Sequence, residues 1–308
     1  MRNSEKNKMA RFCDFNVPYS ENTENLRQIV EMAIKLGYES VALNCTVTPG
    51  TTKGQAVVPP PPKPVELSEA TLAPFMVQGK AFQQLTRLTA IIETHEQKYK
   101  VNPNNSTITA YDILAVQPLN LKMFEAACKE LEVDIISLDM TQKLPFFLRL
   151  TPIKRAIARG VHFEIVYAPA IRDSTLRRYV ISNATDLMTF CKGKNIVLSS
   201  QAEKAIELRG PHDVANLGVL FGMNQAQAKD AVSINCRSAL LHAETRGSAV
   251  GVISIERIMK QTPGVISVER IPSASTDKRA LEKDSGEGQD REDPPGKKPK
   301  LVAKKKIK

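Results

Sequence analysis

Five basic residues stand out by type and spacing: Lys143, Arg172, Arg177, Arg178 and Arg209. Between Asp139 and Glu164 the chain carries Lys143, Arg149, Lys154, Arg155 and Arg159 and no acid. Arg172, Arg177 and Arg178 follow, against Asp173. The apolar spacing puts Arg172 just before a helix and Arg177 and Arg178 in its first turn. Cations there oppose the helix dipole, at about 0.3–1 kcal/mol each. The free N–H groups of that end attract anions. Guanidinium groups gathered around it therefore make sense if a phosphate binds. The plainer alternative is an Asp173–Arg177 pair at i,i+4, which would neutralise one Arg. Arg209-Gly-Pro-His-Asp213 repeats the theme, with Arg209 at the mouth of a helix that Pro211 starts. Arg246, closing the last helix, simply suits the dipole.

Other chemistries find less support. Neither a GxSxG elbow nor a Walker A string occurs. Ser199-Ser200 ends a strand pattern with no base assigned to it. The cysteines, at 13, 45, 128, 191 and 236, form no CxxC clip. They read as reduced, buried, small apolar residues. His95 falls in a loop pattern, His162 starts a strand, and His212 and His242 lie on helix patterns. None ends a strand, so no three-ligand metal site can be assembled. Asp14 and Asp139 could form an acid/base pair at strand ends. The alternative is that both cap loop amides. No catalytic residue and no metal ligand is assigned.

The elements that must position these residues alternate. Strand patterns run over Phe12–Val17, Ser40–Cys45, Leu85–Ile92, Ile113–Val116, Asp134–Leu138, His162–Tyr167 and Asn195–Ser199. Between them, Asn22/Thr23 opens a helix that Gly37 ends. Leu121, Phe124, Cys128 and Leu131 make a helix face, and Pro152–Arg159 a short helix closed by Gly160. Ser174 caps a long helix with Leu176, Tyr179, Val180, Leu187 and Cys191 inward. Helices over Pro211–Phe221 and Gln225–Glu244 finish the body, with Gly222 between them. Val57–Pro64 is polyproline and extended, and the Asn-rich stretch Glu96–Ala110 reads as loop. Repeated β–crossover–β units need parallel strands. With no GxGxxG loop after the first strand, the expected fold is α/β, a TIM-like (β/α) barrel in a single domain, with active residues at the strands' C-terminal ends.

Charge refines the organisation. The 308 residues carry 43 Lys+Arg against 33 Asp+Glu, a net +10. Residues 1–10 hold +2 and are read as a flexible N-terminus, 11–268 hold +4 and are the barrel, and 269–308 hold +4. That last stretch, rich in Ser, Gly, Pro and charge, is expected to be a disordered tail. Its Lys297, Lys298, Lys300, Lys304, Lys305 and Lys306 read as a nuclear address. No apolar run reaches spanning length, and the N-terminal residues have no apolar h-region of a secretory signal. No Trp is present, and Phe plus Tyr total 16, which is thin for stacking bases.

Several long strings resemble a known family: Lys143-Leu-Pro-Phe146, Phe163 through Tyr179, Lys194-Asn-Ile-Val197, and Arg209 through Gly218. Gly79-Lys80 and Leu85-Thr-Arg-Leu-Thr89 add to them. They resemble the roughly thirty-kilodalton protein subunits of nuclear ribonuclease P and RNase MRP, over about residues 11–255. The resemblance implies a TIM-like barrel akin to the polymerase and histidinol phosphatase superfamily, whose histidine ligands are absent here. It implies a part in removing the 5′ leader from precursor tRNA and in ribosomal RNA processing, in the nucleus and nucleolus. In that family the RNA does the chemistry with Mg²⁺. Implied partners are ribonuclease P RNA, RNase MRP RNA and other protein subunits, among them a small α/β one, with precursor tRNA met indirectly. Carried over, the resemblance touches Lys143, Arg172, Arg177, Arg178 and Arg209 as RNA contacts. A metal-dependent barrel phosphoesterase and a protein-only scaffold are the alternatives.

Overall fold

A computed structural model describes residues 12–49, 58–77, 81–101 and 105–247. The expected flexible N-terminus and charged tail, with the nuclear address, lie outside these residues, as do Gly79 and Lys80.

Seven strands alternate with helices along the described chain. They are β1 (Cys13–Pro18), α1 (Thr23–Leu36), β2 (Ser40–Val47), α2 (Glu69–Val77), β3 (Gln83–Ile92), α3 (His95–Lys100), α4 (Ser106–Thr109) and β4 (Ile113–Pro118). Then come α5 (Leu121–Lys129), β5 (Ile135–Ser137), α6 (Leu150–Ala158), β6 (His162–Val166), α7 (Ala168–Arg172), α8 (Ser174–Cys191) and β7 (Ile196–Ser199). A 3₁₀ turn (Ala205–Glu207), α9 (Pro211–Leu220), α10 (Gln225–Ala231) and α11 (Ile234–Gly247) complete the order. The strands pair in sequence order, every pair parallel. The sheet curls into a nearly closed TIM-like barrel. Where β1 meets β7 there is no ladder. Instead the Gln201 N–H donates to the Asn16 carbonyl at 2.8 Å, and the Ser200 N–H to Asp14 Oδ1 at 2.9 Å.

Period-two alternation sorts the strand side chains. Leu114, Val116, Ile136, Phe163, Ile165, Ile196 and Leu198 face outward into one large core shared with the helices. Ile113, Ala115, Ile135 and Val197 face inward, with Cys13, Phe15 and Ala42, into a smaller cluster. Cys236 and Ala239 of α11 join this inner cluster. Helix α11 therefore seals the barrel at the strands' N-terminal ends. Asp134, just before β5, clasps it there through His242 Nδ1 at 2.8 Å and Arg246 Nη2 at 3.0 Å. The Asn235 amide donates to the Ile196 carbonyl at 2.8 Å. Arg246 thus does more than suit a helix dipole: it answers a fully buried carboxylate.

Four local expectations need correction. The Asn-rich stretch is not all loop: Thr94 caps α3 in a reciprocal box with Gln97, and Asn105 caps α4. The long helix is capped by Asp173 rather than Ser174, because the carboxylate reaches the Thr175 and Leu176 N–H groups. On that helix Tyr179 faces solvent, while Val180, Leu187 and Cys191 are buried. The final helix breaks in two at Val232–Ser233, where the Ser233 hydroxyl donates back to the Lys229 carbonyl at 2.6 Å. Residues 58–68, polyproline included, are neither helix nor strand, and Tyr111 Oη donates to the Pro59 carbonyl at 2.9 Å.

Candidate nucleic-acid interface

All five predicted contact residues lie on loops or short stretches of helix that follow strands. Lys143 follows β5, Arg172, Arg177 and Arg178 follow β6, and Arg209 follows β7. Topology thus brings them to the C-terminal end of the barrel. The Asn183 amide of α8 donates to the carbonyls of Gln142 at 2.7 Å and Met140 at 3.3 Å, pinning the Lys143 loop against that helix. Arg178 and Tyr179 lie one turn earlier on it.

The five cations are not equally available. Arg172 ends α7 and is committed to the next loop. It pairs with Glu203, approaches Glu207 at 3.7 Å and donates to the Gln201 carbonyl at 3.1 Å. Arg209 folds onto its own turn, donating to the Ile206 and Leu208 carbonyls at 2.8 and 2.7 Å. Its backbone is fixed by two buried phenols. Tyr38 Oη donates to its carbonyl at 2.9 Å, and its N–H donates to Tyr167 Oη at 3.2 Å. Arg177 does not pair with Asp173; its Nε donates to the Ala170 carbonyl at 2.7 Å. Asp173 instead occupies the α8 N-terminus, and those two backbone N–H bonds hold its carboxyl below its ordinary range. A phosphate at this end would meet guanidinium and ammonium groups rather than the helix amides. Lys143 and Arg178 are exposed and, among the described residues, neither side chain makes a hydrogen bond or ion pair. Phe147, on the same loop as Lys143, is 87 % exposed.

Elsewhere in the basic stretch, Arg149 faces Glu125 at 3.5 Å. Arg159 closes the C-terminus of α5, donating to the carbonyls of Ala127, Cys128 and Leu131. Asp139 accepts from Thr141 and Gln142, and Asp14 accepts from the Asn16 and Ser200 N–H groups, so both cap backbone or loop groups.

The barrel interior was invisible to motif reading. Arg87 and Glu164, both fully buried, make a two-pronged ion pair there, with Arg87 Nη2 at 2.7 Å from Glu164 Oε2. Arg87 Nε donates to Thr89 Oγ1 at 3.1 Å, Thr89 Oγ1 to Asn44 Oδ1 at 2.7 Å, and Asn44 Nδ2 to Asn16 Oδ1 at 2.8 Å. Asn16 Nδ2 returns to Glu164 Oε2 at 3.2 Å, closing a ring over four strands. Burial pushes the Glu164 carboxyl up, but the Arg87 charge and hydrogen bonds outweigh it and hold it below the usual range. The available signal was a charge inside an apolar strand: Arg87 between Leu85 and Leu88, and Glu164 between Phe163 and Ile165. The metal that the phosphatase-like barrels imply does not fit this interior. Among the described residues no three His, Cys, Asp or Glu converge, and a guanidinium fills the space beside Glu164.

Comparison with known proteins gives these features a family. The model described as RNase P subunit p30 matches residues 11–248. The mouse "Ribonuclease P protein subunit p30" is 44% identical over 266 residues, covering 86% of this chain and 97% of the mouse protein. The budding yeast (Saccharomyces cerevisiae) "Ribonuclease P/MRP protein subunit RPP1" is 25% identical over 246 residues, covering 77% and 82%. A chain in the cryo-EM structure of archaeal ribonuclease P with mature tRNA superposes with a TM-score of 0.54 at 14% identity, covering 80% of this chain and 99% of that one. That likeness supports the barrel. The family match over nearly all the described residues and the extent of the mouse identity carry the conclusion that this chain belongs to the RNase P subunit p30 family.

Proposed function

We propose that this chain is a protein subunit of ribonuclease P and of RNase MRP, and that it supports the catalytic RNA without performing the chemistry itself. The RNA, using Mg²⁺, removes the 5′ leader from precursor tRNA and acts in ribosomal RNA processing. The chain contacts ribonuclease P RNA, RNase MRP RNA and other protein subunits, a small α/β one among them. It meets precursor tRNA only through the assembly. Its place is the nucleus and nucleolus, with Lys297, Lys298, Lys300, Lys304, Lys305 and Lys306 as the address.

The observation that carries the reading is the pair of exposed, uncommitted cations, Lys143 and Arg178, at the C-terminal end of a barrel whose interior charge is already paired. Cations without carboxylate partners are the groups that release counterions on meeting phosphate. Arg177 stands next to them. Arg172 and Arg209 act on the same surface through the loops they hold in shape. Exposed Phe147 and Tyr179 beside these cations suit contact with further subunits. The phosphoesterase alternative lacks its donor set among the described residues.

The test is salt-dependent binding of the full chain to ribonuclease P RNA. Changing Lys143 and Arg178 together to Ala should flatten the slope of log K against log salt by about 1.5. Folding stability should move by no more than about 0.5 kcal/mol. An unchanged slope would remove Lys143 and Arg178 from the interface.

A further inference from the structure

We propose that the polyproline segment between β2 and β3 is a docking ridge for a protein domain of the WW type, whose short groove of aromatic side chains takes proline rings. Four prolines, Pro59 to Pro62, precede Lys63 and Pro64. A proline ring fixes its own φ, and a following proline holds the residue before it extended. Both constraints fall on Pro59, Pro60 and Pro61, so the run is a preformed polyproline II helix with three residues per turn. Burial follows that period. Pro59, Pro62 and Val65 form the edge turned to the barrel, with Pro62 buried and the other two half-buried. Pro60, Lys63 and Glu66 form a second edge, and all three are exposed. Val58, Pro61 and Pro64 form the third, with Pro64 exposed and the other two half-buried.

The barrel straps the inner edge in place. Tyr111 Oη donates to the Pro59 carbonyl at 2.9 Å, with the Pro60 carbonyl at 3.2 Å. The Gln84 amide makes a two-way pair with the Val65 backbone, each bond 2.8 Å. The ridge is held at both ends, so little ordering entropy opposes binding. The same prolines wall a cleft of about 910 Å³, faced by Tyr19, Leu26 and Arg27. That cleft gives an incoming aromatic ring room beside the proline rings. A proline-reading groove grips two edges of the helix and leaves the third outside, and the third is the edge the barrel already holds. Lys63 selects the class of groove. It is exposed, and among the described residues its side chain makes no hydrogen bond or ion pair. It also stands within the run, between Pro62 and Pro64. A groove spanning only a few residues, with an acid at its flank, fits such a run better than a longer SH3-type groove that meets its basic residue beyond the last proline. This inference stands apart from the RNA-binding reading, since Lys143 and Arg178 take no part.

The chain contains no Trp. The fluorescence of the groove Trp in a purified WW domain therefore reports contact with the full chain free of background. The probe is a WW domain that binds proline runs carrying a basic residue, with a purified SH3 domain run in parallel. Wild type should give a saturable change with the WW domain and none with the SH3 domain. Changing Pro61 and Pro64 together to Ala strips the rings from one open edge and should weaken binding about thirtyfold or more, the loss of a hot-spot contact. Lys63→Glu sets like charges against each other and should weaken it about tenfold. Both variants should keep the wild-type unfolding midpoint, since the changed side chains lie on the open edges. The absence of a saturable change with wild type overturns the proposal. So does a signal that survives either substitution, or a response from the SH3 domain with the WW domain silent.

Discussion

Single residues in this barrel divide by whether their charge is already answered. Lys143 and Arg178 are open; Arg87, Arg159, Arg172 and Arg209 are committed. Sequence cannot make that division, because the partners of Arg172 lie about thirty residues downstream, at Glu203 and Glu207. His162 shows how burial can dominate a titration. Packed at the start of β6 with Nδ1 unpartnered, it has its pKa pulled from 6.5 to about 4 by burial first and by His242 second. The unfolded chain binds the proton between those values and the native one does not. Stability should therefore hold above pH 6.5 and fall as pH drops toward 4, by about 3 kcal/mol from this group. Denaturant titrations across this window should show the slope in wild type and lose it in His162→Leu. A slope that persists unchanged in the variant would assign the effect to other groups.

Elements were legible where pattern and packing agree. All seven strands appear in the sequence as short apolar runs, because each is buried on both faces between the inner cluster and the helices. Helix α1 was readable from Asn22 to Gly37 for the same reason: cap, apolar face and left-handed Gly stop all coincide. The break between α10 and α11 was not, since Ser233 bonds its own helix backbone and leaves the apolar spacing intact. Nor was the clasp of α11, whose partners Asp134 and Arg246 are far apart in the chain. Removing one side of that clasp leaves a buried guanidinium uncompensated. Asp134→Asn should cost about 3–5 kcal/mol, read from the unfolding midpoint in urea. Asp173→Ala removes the cap of α8 and should cost about 1 kcal/mol. A loss below a few tenths there would mean that another group takes over the two N–H donors.

At the largest scale, the described residues form a barrel with two differently employed ends. Helix α11 plugs the N-terminal end, and the C-terminal end presents loops with spare positive charge over an interior already filled by a paired network. The candidate surface was half legible. Its basic residues could be picked from charge runs, yet the ring of Asn16, Asn44, Arg87, Thr89 and Glu164 could not, because it assembles side chains from four strands. Net charge of +10 says only that an anionic partner is welcome. In the proposed reading, a folded RNA meets the unanswered cations, whose loops are held by Asn183, Arg172 and Arg209. The most direct test of this account is to purify the tagged full chain from nuclei and sequence the RNA that comes with it. The account predicts discrete recovery of ribonuclease P RNA and RNase MRP RNA, in material that cleaves precursor tRNA and loses that activity on RNase treatment. Recovery of no discrete RNA, or cleavage that survives RNase treatment, would contradict it.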